Sequence, residues 1–332
     1  AQALTNIINK LKGSLQTDIA RVYVGVGGQS LKGVKNVVVK DLPADSIVTQ
    51  DIVNELMDTN RNMKNNDYEV LDAITQEYKV DMLDELNPVG VQACHIEGNF
   101  LNLLWRKAFN RSLNKCFDNA GIPIAEMYVT PLAMAEEILT EAEKRAGCML
   151  VDLGADTTTV AIYTRDILRH LFVLPLGSNN ITKDLTTLKM EEREAEAMKL
   201  KYASAYTEVA DIDDSMVWAI DNNRSVNSRL FIDVVEARVL EIIANVWYLV
   251  PTEYTDKLLG GIILTGGGSN LKNIEDAFRR HTHIDKVRIA KFLPLNILPE
   301  TAKISIPHDG TMNGVISILL KGDMNCAGND LN

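Results

Sequence analysis

The stretch VDLGADTTTVAIYTRDILRH, residues 151–170, reads as a buried strand, a glycine turn, a run of threonines and a returning strand. Asp152 ends the first strand, and Gly154 allows backbone conformations that other residues resist. Thr157 and Thr158 offer backbone N–H groups and hydroxyls to an anion. A carboxylate beside a phosphate is unfavourable unless Mg²⁺ lies between them. The stretch therefore predicts a magnesium-linked phosphate turn, and a plain hairpin of β-favouring threonines is the alternative.

Two further motifs lie in the same half of the chain. Residues 260–281, GGIILTGGGSNLKNIEDAFRRH, read as a strand, a glycine-rich turn and a helix. The turn residues are Gly266, Gly267, Gly268 and Ser269. Such a turn lets a ligand approach the backbone, but a tight connection capped by Ser269 or Asn270 would read the same way. Glu196 and Lys199 share a helix face at a spacing of three, and alone they indicate a solvated ion pair.

Composition and charge exclude several classes of function. The chain has 332 residues, of which 46% are hydrophobic and 24% charged, which is typical of a globular protein of about two domains. The net charge of −11 argues against a nucleic-acid partner and against charge-driven adhesion to an anionic membrane. No apolar run approaches the roughly 18 residues that would indicate a membrane span.

Cysteine and histidine are too sparse to predict a metal centre. The cysteines are Cys94, Cys116, Cys148 and Cys326, and no two of them form a CxxC pair. His281 and His283 form an HxH, and Cys94 adjoins His95, but neither has a second half at metal-ligand spacing. We therefore expect free thiols in a reducing cytoplasm and no zinc site.

The coarse pattern of helices and strands mixes both types along the whole chain. An N-terminal helix is predicted with its apolar face made of Leu4, Ile7, Ile8, Leu11 and Leu15. We predict further helices at Leu101–Asn119, at Leu132–Arg145 with Gly147 as its end, and at about 228–250. Strands alternate with these helices, which indicates an α/β fold.

The order of the three motifs, a phosphate turn, an ExxK helix and a glycine turn before a helix, resembles the actin-like ATPase superfamily. VDLGADTTTVAIYTRDILRHLFVLPLGSNNITKDL is similar to the corresponding segment of the FtsA family of bacterial cell-division proteins. LTGGGSNLKNIEDAFRR resembles the adenosine-side loop of that family, and IARVYVGVGGQSLKG resembles the start of its insertion. The resemblance covers most of the chain, is strongest over 148–200 and 260–290, and is weak over 40–120.

The resemblance implies a two-lobed actin-like (ribonuclease-H-like) α/β fold with an FtsA-type insertion subdomain. The first core lobe, subdomain 1A, would comprise residues 1–32, 101–147 and 310–325. The insertion subdomain, 1C, would comprise residues 33–100, which the family uses for assembly contacts. The second lobe, subdomains 2A and 2B, would comprise residues 148–309.

The resemblance also implies a site for ATP with Mg²⁺. The β- and γ-phosphate side would be held by Asp152, Gly154, Thr157 and Thr158. Asp152 would hold the Mg²⁺ through water, while Glu196 and Lys199 would contact the ribose or adenine. The adenosine would be bracketed by Gly266, Gly267, Gly268 and Ser269.

The implied function is that of a scaffold and adaptor, with ATP as a conformational ligand. Such a protein self-associates and links the FtsZ ring to the membrane during septum formation, at the cytoplasmic face of the division site. The FtsZ contact is expected between about 180 and 290. The membrane link would run through a C-terminal amphipathic helix that KGDMNCAGNDLN, residues 321–332, does not supply, and Ala1 is expected to follow the family's first phosphate loop.

Several residues depart from the family pattern. Ala155 and Asp156 stand where glycines are usual, and Thr159 stands for a second aspartate. Asp156 must point away from the phosphate, be bridged by metal, or weaken binding. Thr130 occupies the neighbourhood of a glutamate that positions water in many relatives, and threonine is no general base at neutral pH. We therefore expect at most a weak ATPase, with nucleotide binding weakened or lost.

Three alternatives stay open from the sequence. The first is another bacterial actin-like assembly protein of the pilus type, which shares the fold and nearly the same motifs. The second is a small-molecule kinase of the same superfamily, which would need a base for its acceptor hydroxyl. The third is an α/β domain without a nucleotide site, in which the three motifs are only structural.

Overall fold

The protein was analysed as a computed structural model, which describes residues 2–290, 307, 309–323 and 326. Helices and strands alternate along these residues, as the α/β prediction requires. The helices are α1 Gln2–Leu15, α2 Gln50–Arg61, α3 Lys107–Ala120, α4 Thr130–Ile138, α5 Glu141–Ala146, α6 Ser178–Leu185, α7 Glu192–Tyr202, α8 Ser228–Leu249, α9 Thr252–Thr255, α10 Ile274–Thr282 and α11 Asn313–Lys321. The strands are β1 Val22–Val26, β2 Leu31–Ile47, β3 Tyr68–Val80, β4 Leu83–Glu85, β5 Gln92–Arg106, β6 Ile124–Val129, β7 Cys148–Leu153, β8 Thr158–Thr164, β9 Ile167–Leu174, β10 Val217–Ala219, β11 Ser225–Asn227, β12 Gly261–Thr265 and β13 Val287–Ile289.

The chain divides into two compact units. Unit 1 comprises Ala1–Val129, Ile167–Leu171 and Ile318–Asn332, and unit 2 comprises Thr130–Asp166 and Phe172–Ser317. Unit 1 thus groups most of the expected first lobe with the expected insertion, and the three-part division remains a prediction. No helix among the described residues has both the length and the apolar character needed to cross a membrane.

Unit 1 contains a four-stranded antiparallel sheet in the order β2-β5-β3-β4, covered on one face by α2. The packed residues between sheet and helix include Leu56, Tyr78, Ile96 and Phe100, all buried. Thr49 caps α2 by accepting a hydrogen bond from the Ile52 N–H, which satisfies one of the unpaired donors at the start of the helix. A parallel pair, β1 and β6, forms a second and smaller sheet of this unit.

The helix predicted at Leu101–Asn119 is wrong over its first turn and a half. Residues up to Arg106 belong to β5, and α3 begins at Lys107. Leu101, Leu103 and Leu104 are buried in the sheet, with Leu101 paired to both β2 and β3. An apolar run that is buried on both faces has no periodicity that separates strand from helix.

The single helix predicted at Leu132–Arg145 is two helices, α4 and α5. Thr140 interrupts it, because its hydroxyl accepts the Glu143 N–H at 3.2 Å while Glu143 Oε2 accepts the Thr140 N–H at 2.9 Å. This reciprocal capping box starts a new helix. Gly147, at φ +96°, ends α5 as predicted.

The N-terminal helix α1 is confirmed, but its apolar face is mostly uncovered. Of the five apolar residues predicted on one face, Ile8 is buried, whereas Ile7, Leu11 and Leu15 are exposed. Helical periodicity therefore identified the element correctly and its burial only in part.

Unit 2 is built on a five-stranded sheet in the order β13-β12-β7-β8-β9. The central strand β7 is parallel to β12 and antiparallel to β8, so Asp152 is paired with Thr265 on one side and Thr159 on the other. Helices α6, α8 and α10 contribute to its core, where Phe231 and Phe278 are fully buried. Because parallel strands end at the same sheet edge, the residues after β7 and after β12 are brought together.

Candidate functional site

The predicted phosphate turn follows β7 and is closed by its own backbone. The Gly154 N–H donates to the Thr157 carbonyl at 2.9 Å, and a Cβ on Gly154 would lie 2.7 Å from that oxygen. Glycine is therefore required here for space, not for the unusual backbone angle that the sequence suggested. Thr158 is fully buried and its hydroxyl donates to the Leu176 carbonyl at 2.8 Å. Thr157, which is only half-buried, is the threonine of the predicted pair that remains open to a ligand.

Asp156 connects the turn to helix α6 through a side-chain hydrogen bond. It is exposed, and its Oδ1 accepts a hydrogen bond of 3.0 Å from the Asn179 side chain at the start of α6. An exposed carboxylate is screened by water, so its repulsion of a phosphate is weaker than that of a buried one. The effect of Asp156 on phosphate binding stays a prediction.

Asp152 lies at the end of β7 against the glycine-rich turn. A Cβ on Gly266, which has φ +83°, would lie 2.3 Å from Asp152 Oδ1 and 2.7 Å from the Leu153 carbonyl oxygen. A Cβ on Gly268 would lie 2.9 Å from Leu153 Cβ. The glycines let the two turns approach each other, so two of the three motifs meet at one point of unit 2.

Burial raises the pKa of Asp152 to about 6, because the carboxylate loses hydration. A bound divalent cation would supply the missing stabilisation of the charged form. Mg²⁺ in proteins usually keeps several waters and takes one or two carboxylates together with substrate phosphates. A single desolvated carboxylate beside a phosphate turn fits this donor set.

The Glu196–Lys199 pair is not the solvated ion pair that its spacing alone indicates. Lys199 is buried, with its Nζ 2.7 Å from Glu196 Oε2 and 2.9 Å from Thr182 Oγ1. Burial would raise the pKa of Glu196, but hydrogen bonds from Lys199 and Thr182 outweigh it and lower the pKa. Glu196 is therefore a carboxylate at neutral pH.

Helix α6 connects the phosphate turn with the Glu196–Lys199 pair. The Ser178 N–H donates to the Gly154 carbonyl at 2.9 Å, and Lys199 Nζ donates to the Ser178 carbonyl at 3.2 Å. A Cβ on Gly177 would lie 2.4 Å from the Ala155 carbonyl oxygen, so only glycine fits there. Helix α6 is absent from the sequence prediction, although Gly177 followed by Ser178 is a recognisable helix start.

The glycine-rich turn does not run directly into a helix. Gly267–Asn270 form a 3₁₀ turn, and α10 begins only at Ile274, after Asn273 at φ +58°. Ser269 is fully buried and its hydroxyl donates to the Gly266 carbonyl at 2.7 Å. The alternative in which Ser269 or Asn270 caps the helix is therefore wrong, and Ser269 holds the turn closed from inside.

A groove of about 720 Å³ lies elsewhere on unit 2, and none of the residues predicted to hold the nucleotide lines it. Its wall includes Trp218, stacked on Tyr202 with ring centroids 4.5 Å apart. The Arg280 guanidinium lies 4.0 Å over the Tyr206 ring and pairs with Glu208 at 2.9 Å. Aromatic faces, cationic groups and acidic groups thus share one surface.

Two family models match the chain. One, described as cell division protein FtsA, matches residues 149–307, and the other, described as SHS2 domain inserted in FTSA, matches residues 28–104. Together they match more than half of the 332 residues.

Curated relatives match over most of the chain. The cell division protein FtsA of Porphyromonas gingivalis is 31% identical over 84% of this chain and 60% of its own length. The FtsA of Neisseria meningitidis serogroup B is 28% identical over 82% of this chain and 68% of its own length. The chain thus spans about three fifths to two thirds of the length of these two relatives.

A solved structure titled PilM-PilN type IV pilus biogenesis complex contains a chain of the same fold, with a TM-score of 0.63 and 14% identity. The likeness covers 97% of this chain and 85% of that one. The chain therefore has an actin-like ATPase fold, and the match to the SHS2 domain shows that it carries an insertion subdomain. Both features agree with the prediction from the sequence. Within that class, the chain belongs to the FtsA family of cell-division proteins.

Proposed function

We propose that this protein is an actin-like scaffold of the divisome that binds ATP with Mg²⁺ in unit 2. In this proposal it self-associates and links FtsZ to the inner face of the cell membrane during septum formation. Membership of the FtsA family supports the cell-division role. The observation that carries nucleotide binding is the meeting of Asp152 with Gly266, while α6 ties Lys199 to the same phosphate turn.

In this proposal, different residues contact the phosphates and the nucleoside. The phosphate turn and Asp152 would hold the phosphates, with Mg²⁺ bound to Asp152 through water. Glu196 would face the nucleoside as an acceptor, and the backbone from Gly266 to Gly268 would lie beside the adenosine. Thr130 at the start of α4 carries no acid or base, so bound ATP acts mainly as a conformational ligand with weak hydrolysis.

Calorimetry of Mg-ATP binding to the full-length protein tests this site. Asp152→Ala removes the proposed Mg²⁺ ligand, and we expect it to weaken binding at least tenfold, since a charged contact contributes about 1.5–3 kcal/mol. Asp256→Ala removes an exposed aspartate of unit 2 outside the site and should bind as the unaltered protein does. Equal affinities for both variants would refute a role for Asp152.

For FtsZ, we propose the groove beside Trp218 and Arg280 as the docking surface. It lies within the range of about 180 to 290 expected for this contact. Three cations and four acids line the groove, and two of the cations, Lys272 and Arg280, share it with the aromatic side chains of Trp218 and Tyr206. Cation and aromatic side chains at the centre of an interface are the usual sources of its affinity.

Arg280→Ala should weaken FtsZ binding about tenfold or more, because it removes both the cation and its stacking on Tyr206. Arg229→Ala is the matched control, since Arg229 forms an ion pair with Asp233 on α8 and does not line the groove. Fluorescence anisotropy with labelled FtsZ would measure both. Similar losses in the two variants would place the contact outside the groove.

The two functional alternatives have weaker support. The pilus-type relative shares the fold at 14% identity, which carries no argument about partners. A kinase would need a base at the acceptor hydroxyl, but Asp156 is bonded to Asn179 and Asp152 is assigned to Mg²⁺. Phosphorylation of sugars or acetate by the full-length protein would revive the kinase hypothesis.

A further inference from the structure

We propose that Thr182 is a positioning residue, which together with the internal ammonium of Lys199 sets the orientation of the Glu196 carboxylate for a nucleoside. We also propose that α6 fixes this pair at a set distance from the phosphate turn. This inference rests on the nucleotide site proposed above and assigns the residues that build its nucleoside side.

Thr182 contacts both charged groups, which also contact each other directly at 2.7 Å. The Thr182 side chain is buried, its hydroxyl donates to Glu196 Oε2, and its Oγ1 accepts from Lys199 Nζ at 2.9 Å. A hydroxyl has one donor and two acceptor lone pairs, so it can serve both partners at once. The two charged groups fix the rotation of the hydroxyl, and the hydroxyl adds a third contact that restrains the ion pair.

Lys199 is fully occupied inside the protein. Its ammonium has three donors, and three acceptors lie within reach: Glu196 Oε2 at 2.7 Å, Thr182 Oγ1 at 2.9 Å and the Ser178 carbonyl at 3.2 Å. A ligand contact would require breaking one of these bonds. We therefore assign Lys199 an internal role, in place of the direct ligand contact that the sequence predicted.

Glu196 keeps capacity for a ligand. Its side chain is 41% exposed, and its hydrogen bonds from Thr182 and Lys199 both go to Oε2. Oε1 is therefore the oxygen that can accept from a ligand hydroxyl or amine. Thr182 decides where Oε1 points, because a carboxylate held at one oxygen has only one remaining direction for the other.

Helix α6 transmits this orientation to the phosphate turn. The Ser178 backbone contacts both the phosphate turn and the ion pair, since its N–H donates to the Gly154 carbonyl and its own carbonyl accepts from Lys199. Thr182 lies one turn later, about 6 Å along the helix axis. Ile181 and Leu185 are buried, which anchors α6 in the core of unit 2. A ligand that reaches both ends thus meets a spacing set by one helical turn.

The test compares Mg-ATP with Mg-tripolyphosphate, which has the phosphates but no nucleoside, on the full-length protein. Thr182→Val removes the hydroxyl at nearly constant volume, and Thr182→Ser restores it. Thr187→Val is the control, because Thr187 is exposed and its hydroxyl bonds only the Asp184 carbonyl among the described contacts. We expect Thr182→Val to weaken Mg-ATP at least tenfold while tripolyphosphate stays within about twofold. Thr182→Ser and Thr187→Val should both bind Mg-ATP within about threefold of the unaltered protein.

An equal loss of both ligands would overturn the proposal, because it would mean that Thr182 only supports the fold of the whole site. Unchanged Mg-ATP affinity in Thr182→Val would overturn it as well. Thr182→Ala replaces the valine variant if that variant does not fold. Failure of the unaltered protein to bind either ligand would instead refute the proposed nucleotide site itself.

A titration without nucleotide separates these cases further. Carbon-13 NMR of the Glu196 carboxyl should show a higher midpoint in Thr182→Val than in the unaltered protein, since the hydroxyl no longer stabilises the carboxylate. Thr187→Val should leave the midpoint unchanged. An unchanged midpoint in Thr182→Val would overturn the positioning role even if ATP binds.

Discussion

At the residue scale, Asp152 carries the sharpest conflict between stability and binding. Its carboxylate is desolvated at the end of a central strand, which raises its pKa to about 6 from an ordinary value near 3.8. Because the pKa of Asp152 is higher in the folded than in the unfolded protein, the folded protein keeps the proton up to a higher pH. Stability therefore falls as pH rises from about 4 to 6, and the deficit persists at neutral pH.

Asp152→Asn should accordingly stabilise the protein in the absence of nucleotide. The shift of about two pKa units corresponds to about 2–3 kcal/mol at pH 7.5, and the gain should vanish near pH 3, where Asp152 is protonated in both the folded and the unfolded protein. Urea unfolding at the two pH values measures it, with Asp256→Asn as the control. A gain of equal size at both pH values would show that the carboxylate charge is not the cause.

Asp156 gives the opposite expectation for binding. Because it is exposed and bonded to Asn179, Asp156→Ala should leave Mg-ATP affinity within about threefold of the unaltered protein, or improve it slightly by removing a negative charge. Calorimetry beside Asp152→Ala makes the comparison between two aspartates four positions apart. A loss as large as that of Asp152→Ala would place Asp156 at the ligand.

At the scale of elements, the two glycine turns hold β7 and β12 in contact. Gly266 has φ +83°, and its missing side chain leaves room for Asp152 Oδ1 and the Leu153 carbonyl. A Cβ added to the neighbouring Gly267 would lie 3.5 Å from its nearest atom, Thr311 Cγ2, which is an ordinary van der Waals contact. The same turn thus contains one glycine that the packing requires and one that it tolerates.

Gly266→Ala should lower the free energy of unfolding by about 2 kcal/mol or more, because it combines a positive φ with a clash against backbone. Gly267→Ala should cost less than about 1 kcal/mol. Chemical denaturation of both variants, followed by circular dichroism, gives the difference. Equal destabilisation would mean that the close approach of the two turns is not maintained in solution.

The sequence predicted some elements well because their local pattern and their burial agree. β7 and β12 are apolar on both faces and are bounded by glycines, so their strand character is plain. Leu101–Trp105 is equally apolar, yet its strand character depends on pairing with β2 and β3, which are distant in sequence. The break at Thr140 was readable from the TxxE capping box but was overlooked.

The sequence supplies a list of candidate site residues, which stays a prediction, but it does not give the hydrogen bonds that connect them. Asp152 and the glycines were found because their residue types are unusual at strand ends. Thr182 and Ser178 were missed, since a threonine and a serine in a helix carry no signal until Lys199 is known to be buried beside them. Which hydroxyl faces a ligand and which faces the core is decided by packing, as Thr157 and Thr158 show.

At the scale of the whole molecule, the proposed self-association would have to overcome a net charge of −11. The expected insertion subdomain offers apolar surface for this, because Met82 is 92% exposed and Leu83 and Leu86 are each 68% exposed. These residues follow β3, where Asp81 and Met82 both have positive φ. We expect assembly through such a surface to strengthen with salt, which screens the repulsion between acidic chains.

Replacing Met82 and Leu83 together by serine should weaken self-association at least tenfold, since two large exposed side chains no longer lose contact with water on assembly. Tyr248→Ser is the control, because Tyr248 is 86% exposed but lies in unit 2. Sedimentation velocity at two salt concentrations measures both effects. Assembly that resists the double change would mean that another surface carries the contact.

The three internal contacts of the Lys199 ammonium have a consequence for chemical footprinting. An amine that is buried and engaged by three acceptors should react slowly with acylating reagents, whereas Lys201, exposed on the same helix, should react at once. Mass spectrometry can read the two modifications in a single peptide. The acylation rate of Lys199 therefore reports how often α6 separates transiently from α7, and the rate of Lys201 provides the reference.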